Sequence, residues 1–231
     1  MLESVSRANQ SNITYPERDG NPMSDNTKQF RWIVVIKENL ELLFADNPNI
    51  FVAGDLLWYP IEGDNKTRQA PDVMIVFGRP KGDRGSYRQW VEDNITPQVV
   101  FEILSPGNRL LEMAKKFKFY EHHGVEEYYI YDPDKIDLQG WLRNNGELTV
   151  IEEMTGWVSP RLGIKFELTS ENLEIFRPDG GKFLTFVELG KLRETETKRA
   201  NELQQQLQKE QEQKKRLEDK LRELGIDIND V

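Results

Sequence analysis

The chain has 231 residues, 37% of them hydrophobic, no cysteine and a formal net charge of -9. That size supports one buried core plus an appendage, and the missing thiols exclude disulfides, thiolate zinc sites and cysteine catalysis. The acidic balance argues against a general nucleic-acid coat, which spreads basic residues over a wide face, but it leaves room for a single basic groove.

Residues 1-26 carry Gly, Pro, Asn and Ser with few large apolar side chains. They read as an extended arm that lacks the apolar stretch of a signal peptide. No uninterrupted apolar run of about 18 residues occurs, so a soluble, cytoplasmic protein without a membrane partner is expected. Phe30, Ile33, Val34, Leu40, Leu43 and Phe44 recur with a helical period and predict a helix that starts near Asp25 to Thr27 and ends before Pro48. Strands are predicted near Ile50 to Tyr59, Asp72 to Phe77 and Val99 to Leu104. A second helix follows from about Arg109 to His122, with Gly124 where a left-handed cap belongs. Glu127 to Asp132 reads as a strand with Tyr129 and Tyr131 on one face and Tyr128 on the other. Shorter strands are expected at Leu138 to Arg143, Leu148 to Glu152 and Ile164 to Phe166. The fold class is therefore α/β (α+β), with a mixed central sheet flanked by helices over residues 27-189.

Residues 190-231 differ in kind. From Leu189 to Leu224 Lys, Arg, Glu and Gln dominate and proline is absent, which predicts a long exposed helix ended by Gly225. Leu203, Leu207, Leu217, Leu221 and Leu224 fit a heptad frame whose seam also takes Glu210 and Lys214, and earlier Arg193, Glu196 and Ala200. Two readings stay open: a short coiled coil that makes a homodimer or higher homo-oligomer, and a solvated helix partly docked on its own domain.

The chemistry concentrates in two apolar runs. Asp72 opens one of them and Glu102 lies near the end of the other, and both runs have the β-branched and aromatic content of buried strands. An acid in such a run is costly unless compensated. A divalent cation compensates two converging acids through hard oxygen ligands, and it activates water for attack on a phosphate ester.

The order helix, three strands, helix, strand, with Asp72 on the middle strand and Glu102 on the third, resembles the catalytic core of the PD-(D/E)xK nuclease superfamily. More closely, the chain resembles the bacterial Uma-two restriction endonuclease family. The residues that carry the likeness are Gly54-Asp55-Leu56-Leu57-Trp58-Tyr59, Ala70-Pro71-Asp72-Val73, Glu102-Ile103-Leu104-Ser105-Pro106, Lys116 with Tyr120, Gly124 to Tyr129, and Asp132-Pro133. Leu221 to Asp227 resembles the tail of longer members. One position departs from the superfamily motif: Leu104 stands where a lysine is expected, two residues after Glu102. In the family a lysine from the next helix takes that place. A helical wheel puts Leu110, Met113, Ala114, Phe117 and Tyr120 on the buried stripe and Lys116 and Lys118 on its two borders; the resemblance favours Lys116.

The implied activity is that of a Mg²⁺-dependent (or Mn²⁺-dependent) endonuclease, a hydrolase acting on DNA as a dimer. Asp72 and Glu102 would hold the ion with the Ile103 carbonyl as a further oxygen, and Lys116 would position water or offset charge on the phosphate. Glu38, Asp25 and Asp55 are possible further acids, although surface charge and helix capping explain them too. Arg79, Lys81, Arg84 and Arg88, interleaved with Tyr87 and Trp90, are candidates for the phosphate backbone, and a solvated loop explains their charges equally well. Ser105 reads first as a strand exit, and His122 and His123 as a helix end. The competing function is a non-catalytic interaction protein that keeps the nuclease-like fold and binds partners through its charged helix. The acidic balance and Leu104 favour it, whereas two acids in buried strands favour the enzyme.

Overall fold

Asn26 starts the first helix. Its side-chain oxygen accepts from the backbone N–H groups of Lys28 (2.9 Å) and Gln29 (2.8 Å), satisfying donors that a helix start leaves free. The helix, α1 (Thr27–Leu43), then buries Ile33, Ile36 and Leu40. These and the following descriptions refer to a computed structural model that describes residues 13–18, 20, 24 and 26–223. Asp25, Leu224 and Gly225 lie outside the described residues, as does most of the arm at 1-26. The chain divides into two compact units, Met1–Phe183 and Leu184–Val231.

The first unit continues with β1 (Ile50–Gly54), β2 (Trp58–Tyr59), β3 (Val73–Phe77), β4 (Tyr87–Arg88), a 3₁₀ turn at Gln89–Val91, β5 (Val99–Ile103), α2 (Leu110–His122), β6 (Glu127–Asp132), β7 (Asp137–Asn144), β8 (Glu147–Val150), β9 (Lys165–Leu168) and β10 (Leu173–Phe176). Six strands form a mixed sheet in the order β1-β3-β5-β6-β7-β8. Its pairs are antiparallel except β5 with β6. A parallel pair needs a crossover connection, and α2 supplies it.

Alternation along the strands divides the core into two layers. Val73, Ile75, Val99, Phe101, Tyr129 and Tyr131 pack with Ile33, Ile36 and Leu40 of α1. Met74, Val76, Val100 and Tyr128 pack with Tyr120 and Phe117 of α2. Asp72 and Glu102 share the parity of the second set, so both acids belong to the face that α2 covers.

The predicted strand from Ile50 to Tyr59 is two strands. Asp55 interrupts it in the left-handed region (φ 47°), and its N–H bonds the carbonyls of Pro71 (3.1 Å) and Asp72 (3.2 Å). The chain therefore turns, and β2 pairs with β4 instead. The buried stripe of α2 is shorter than the wheel predicts. Tyr120 is buried, but Leu110 is 88% exposed and Ala114 is exposed as well. The N-terminal half of α2 overhangs a groove of about 760 Å³ lined by Leu104, Met113, Phe117, Ile130 and Trp141. The hairpin β9–β10 extends the single short strand expected at Ile164 to Phe166.

From the arm, Pro16 accepts from the Tyr59 hydroxyl (2.7 Å), and the Tyr15 ring packs on Tyr59 and Trp90 at 5.2 and 5.0 Å. Trp90 is thereby engaged within the fold. The second unit contains one long helix, α3 (Phe186–Glu223), which begins three residues before the sequence-based estimate. Among the described residues no helix is long and apolar enough to cross a membrane.

Candidate active site

Glu102 is 2% exposed and Asp72 8% exposed. Asp72 immediately precedes β3, and its Oδ2 accepts from the Ile103 N–H at 2.6 Å, which ties the end of β5 to the start of β3. Glu102 accepts at both oxygens: Lys116 Nζ lies 2.7 Å from Oε2 and the Tyr120 hydroxyl 2.5 Å from Oε1. The two donors lie one helical turn apart on α2, so the crossover helix carries both side-chain partners of Glu102.

Electrostatics follow from burial. Burial and the neighbouring Glu102 charge push the Asp72 carboxyl well above its usual range, with Asp55 adding to the rise; Lys116 and the Ile103 N–H oppose it. Burial alone would depress the Lys116 ammonium, but the Glu102 and Asp72 carboxylates outweigh that and hold its pKa above the ordinary value. Burial, then Glu102, pushes the Tyr120 phenol well up. Two carboxyl groups thus share one lysine, and the pocket disfavours the negative charge of Asp72.

The family model described as "Uma2: Putative restriction endonuclease" matches residues 21–175. The chain belongs to the Uma2 family. Among solved structures, one match is a putative nuclease of the DUF820 group from Anabaena variabilis, 17% identical, covering 58% of this chain and 72% of that one with a TM-score of 0.44. No curated protein matches the chain. Membership places the chain in a family described by likeness to restriction endonucleases.

The structure distinguishes the two lysines that the helical wheel left on equal terms. Lys118 is exposed and pairs with Glu121 at 3.1 Å, away from Glu102. Glu38 is exposed on α1 and pairs with Lys37 at 3.0 Å. Asp55 lies close enough to raise the pKa of Asp72. The Ile103 carbonyl accepts from Gln29 Nε2 at 2.8 Å. Among the described residues no cluster of three or more His, Asp or Glu side chains converges on one point.

The basic segment after β3 is tied into the fold. Arg79 and Arg84 both reach Glu92, at 2.8 and 2.7 Å, and Arg79 also pairs with Asp93. Arg84 stacks over Phe51 at 3.9 Å. Lys81 donates to the carbonyls of Phe44 (2.7 Å) and Ala45, just past the end of α1. Arg88 is exposed on β4. Ser105 bonds Asn108 through its N–H (2.7 Å), forming the turn that leads out of β5. His123 packs against Phe119, and burial lowers its pKa.

The sequence does not reveal the place of two residues in the site. Gln29 sits four residues before Ile33, on the apolar stripe of α1, and a polar residue in that register is a readable signal. Tyr128 lies on the site face of β6, and its hydroxyl is buried without a hydrogen-bond partner among the described residues. Burial and then the charges of Glu102 and Asp72 raise its pKa, so that orphaned donor belongs to the same pocket.

Proposed function

We propose that this Uma2 protein hydrolyses DNA phosphodiester bonds as a Mg²⁺-dependent (or Mn²⁺-dependent) endonuclease, with Asp72 and Glu102 holding the cation and Lys116 as the fixed positive charge. One observation carries the reading: Glu102, almost without solvent, faces Lys116 while a second buried carboxylate lies close enough for its pKa to be raised by it. A structural ion pair needs no second acid beside it, because each added buried charge costs free energy.

The donor set fits a hard cation. Asp72 and Glu102 offer carboxylate oxygen, and Asp72 commits only Oδ2 to the backbone. The Ile103 carbonyl has a second lone pair beyond the one Gln29 engages. Two carboxylates and a carbonyl suit Mg²⁺, which keeps several waters and takes oxygen from the substrate phosphate. When bound, the cation supplies Lewis-acid polarisation and a lowered water pKa.

The chain's own residues supply the rest. Lys116 has a raised pKa and stays protonated at neutral pH, so it acts as a charge that offsets the negative phosphate oxygens and not as a base. Tyr120 likewise keeps its proton and fixes the orientation of Glu102. Asp72 orients the end of β5 through the Ile103 N–H. Arg88, exposed on β4, remains open to a phosphate backbone, whereas Arg79, Lys81 and Arg84 hold the loop that presents it. A homodimer would carry two such sites.

Plasmid nicking by the purified chain with Mg²⁺ or Mn²⁺ tests the reading. Asp72→Ala and Glu102→Ala are expected to abolish it. Cleavage that survives both changes, or that proceeds equally in chelator, rejects the assignment.

A further inference from the structure

α3 is a 38-residue helix with no buried residue among those described. Leu203, Leu207 and Leu217 are 57%, 50% and 62% exposed on it. Its ion pairs are exposed and long: Arg199 to Glu196 at 4.0 Å and Lys214 to Glu218 at 3.9 Å. Such pairs contribute little, and most helix stability in proteins comes from packing an apolar face. The leucine seam therefore calls for a cover, and the charges inside it say which.

Along the seam run Leu203, Leu207, Glu210, Lys214, Leu217 and Leu221. Read outward from Glu212, the spacing is its own mirror image, with the charge inverted across it. Glu210 mirrors Lys214, Leu207 mirrors Leu217, Leu203 mirrors Leu221, and Ala200 mirrors Leu224. In a parallel, in-register pair every seam residue meets its own copy, so Glu210 would face the partner's Glu210 and Lys214 the partner's Lys214. Both layers would be repulsive. In an antiparallel pair each residue meets its mirror image instead. Leucine then meets leucine, and Glu210 meets the partner's Lys214 twice, once on each side of the axis.

We propose that α3 pairs with α3 of a second copy of this chain in antiparallel orientation, with the two-fold axis passing beside Glu212. A two-fold interface is isologous, so residue i contacts j and j contacts i, which is the relation the seam encodes. The pairing accounts for two polar residues in a leucine seam: each orientation buries them, but only one neutralises them. It also means that the chain enters the two helices at opposite ends, with the two copies of Phe186 roughly 80 Å apart along the pair at 1.5 Å per residue. This inference rests on the homodimer reading given above and is independent of the nuclease chemistry.

The test uses the full chain. It has no native cysteine, so Leu203→Cys with Leu221→Cys introduces the only thiols. Within one helix these positions are about 27 Å apart, so they cannot join to each other in the same copy. After mild oxidation and digestion, peptides linking 203 to 221 are expected by mass spectrometry. Peptides linking 203 to 203 and 221 to 221 overturn the orientation and leave the homodimer standing. A monomeric mass for the unmodified chain in light scattering overturns both. Charge reversal gives a second readout that leaves the leucines intact. Lys214→Glu should weaken dimerisation by about tenfold, because it makes both mirrored pairs repulsive, and adding Glu210→Lys should restore it. A dissociation constant unchanged by Lys214→Glu overturns the proposal.

Discussion

Lys116 Nζ lies 2.7 Å from Glu102 Oε2, a contact between the crossover helix and the strand it follows. Lys118, two residues on, is exposed. The pair therefore predicts an asymmetry between the two lysines. Lys116→Met leaves a buried carboxylate without its cation and should cost about 3–5 kcal/mol in urea melts. The same change should lower nicking at least ~100-fold. Lys118→Ala should alter stability by no more than about 0.5 kcal/mol and leave nicking unchanged. Equal losses at both positions would mean that the contact with Glu102 has no functional weight.

That asymmetry also marks where sequence reasoning ends. Asp72 and Glu102 were legible because an acid inside an apolar strand has few explanations, and the parity of the strands then puts both on one face. The wheel of α2 was only half right. It assumed that the whole helix packs down, but Leu110 and Ala114 overhang a groove and only the C-terminal part of the stripe is buried. The break between β1 and β2 was hidden because it depends on Asp55 bonding carbonyls at Pro71 and Asp72, a contact with a distant segment. The loop arginines show the same limit: their partner Glu92 closes an ion-pair cluster only once the chain has folded back on itself. Composition indicated that these side chains are basic, not whether their charge is spent.

Asp72 should act against stability when no cation is present. Its carboxyl is buried beside Glu102, and both effects raise the cost of its charge. Asp72→Asn keeps an oxygen for the Ile103 N–H and removes that charge. The variant should melt at the same or a higher temperature than the parent without metal, while nicking is lost. Mg²⁺ at ten times its Kd should stabilise the parent by about 1.4 kcal/mol and the variant not at all. A variant that melts lower and still gains from Mg²⁺ would remove Asp72 from the cation site.

The two compact units make a prediction about truncation. Among the described residues, all ten strands and both shorter helices lie before Leu184, and no residue of α3 is buried. We propose that residues up to Thr185 form an independent domain. The shortened chain should melt cooperatively within a few degrees of the full one and keep nicking activity per site. A broad transition, or loss of secondary structure by circular dichroism, would show that the helix is needed to hold the sheet together.

Glu127 offers a contrast with Glu102 and a pH test. It is fully buried, and it accepts from the Ser159 hydroxyl (2.5 Å), the Arg161 N–H (2.6 Å) and the Tyr129 hydroxyl (2.9 Å), with no lysine partner among the described residues. These donors pin the segment before β9 onto β6, a structural role. Burial raises its pKa, and the hydrogen bonds oppose that rise without cancelling it. Between the ordinary carboxylate value and the raised one, the folded chain keeps a proton that the unfolded chain has lost. Stability from this group is therefore fully present at low pH and falls as pH climbs through that window. Glu127→Gln cannot titrate, and its amide brings two N–H donors where the protonated acid brings a single O–H, which should cost about 1–3 kcal/mol at low pH. Every other group titrates alike in the two proteins. The gap between parent and variant should thus narrow as pH rises from about 4.5, measured by urea melts at a series of pH values. A gap that widens with pH would mean that the Glu127 carboxylate is favoured by its donors over its protonated form.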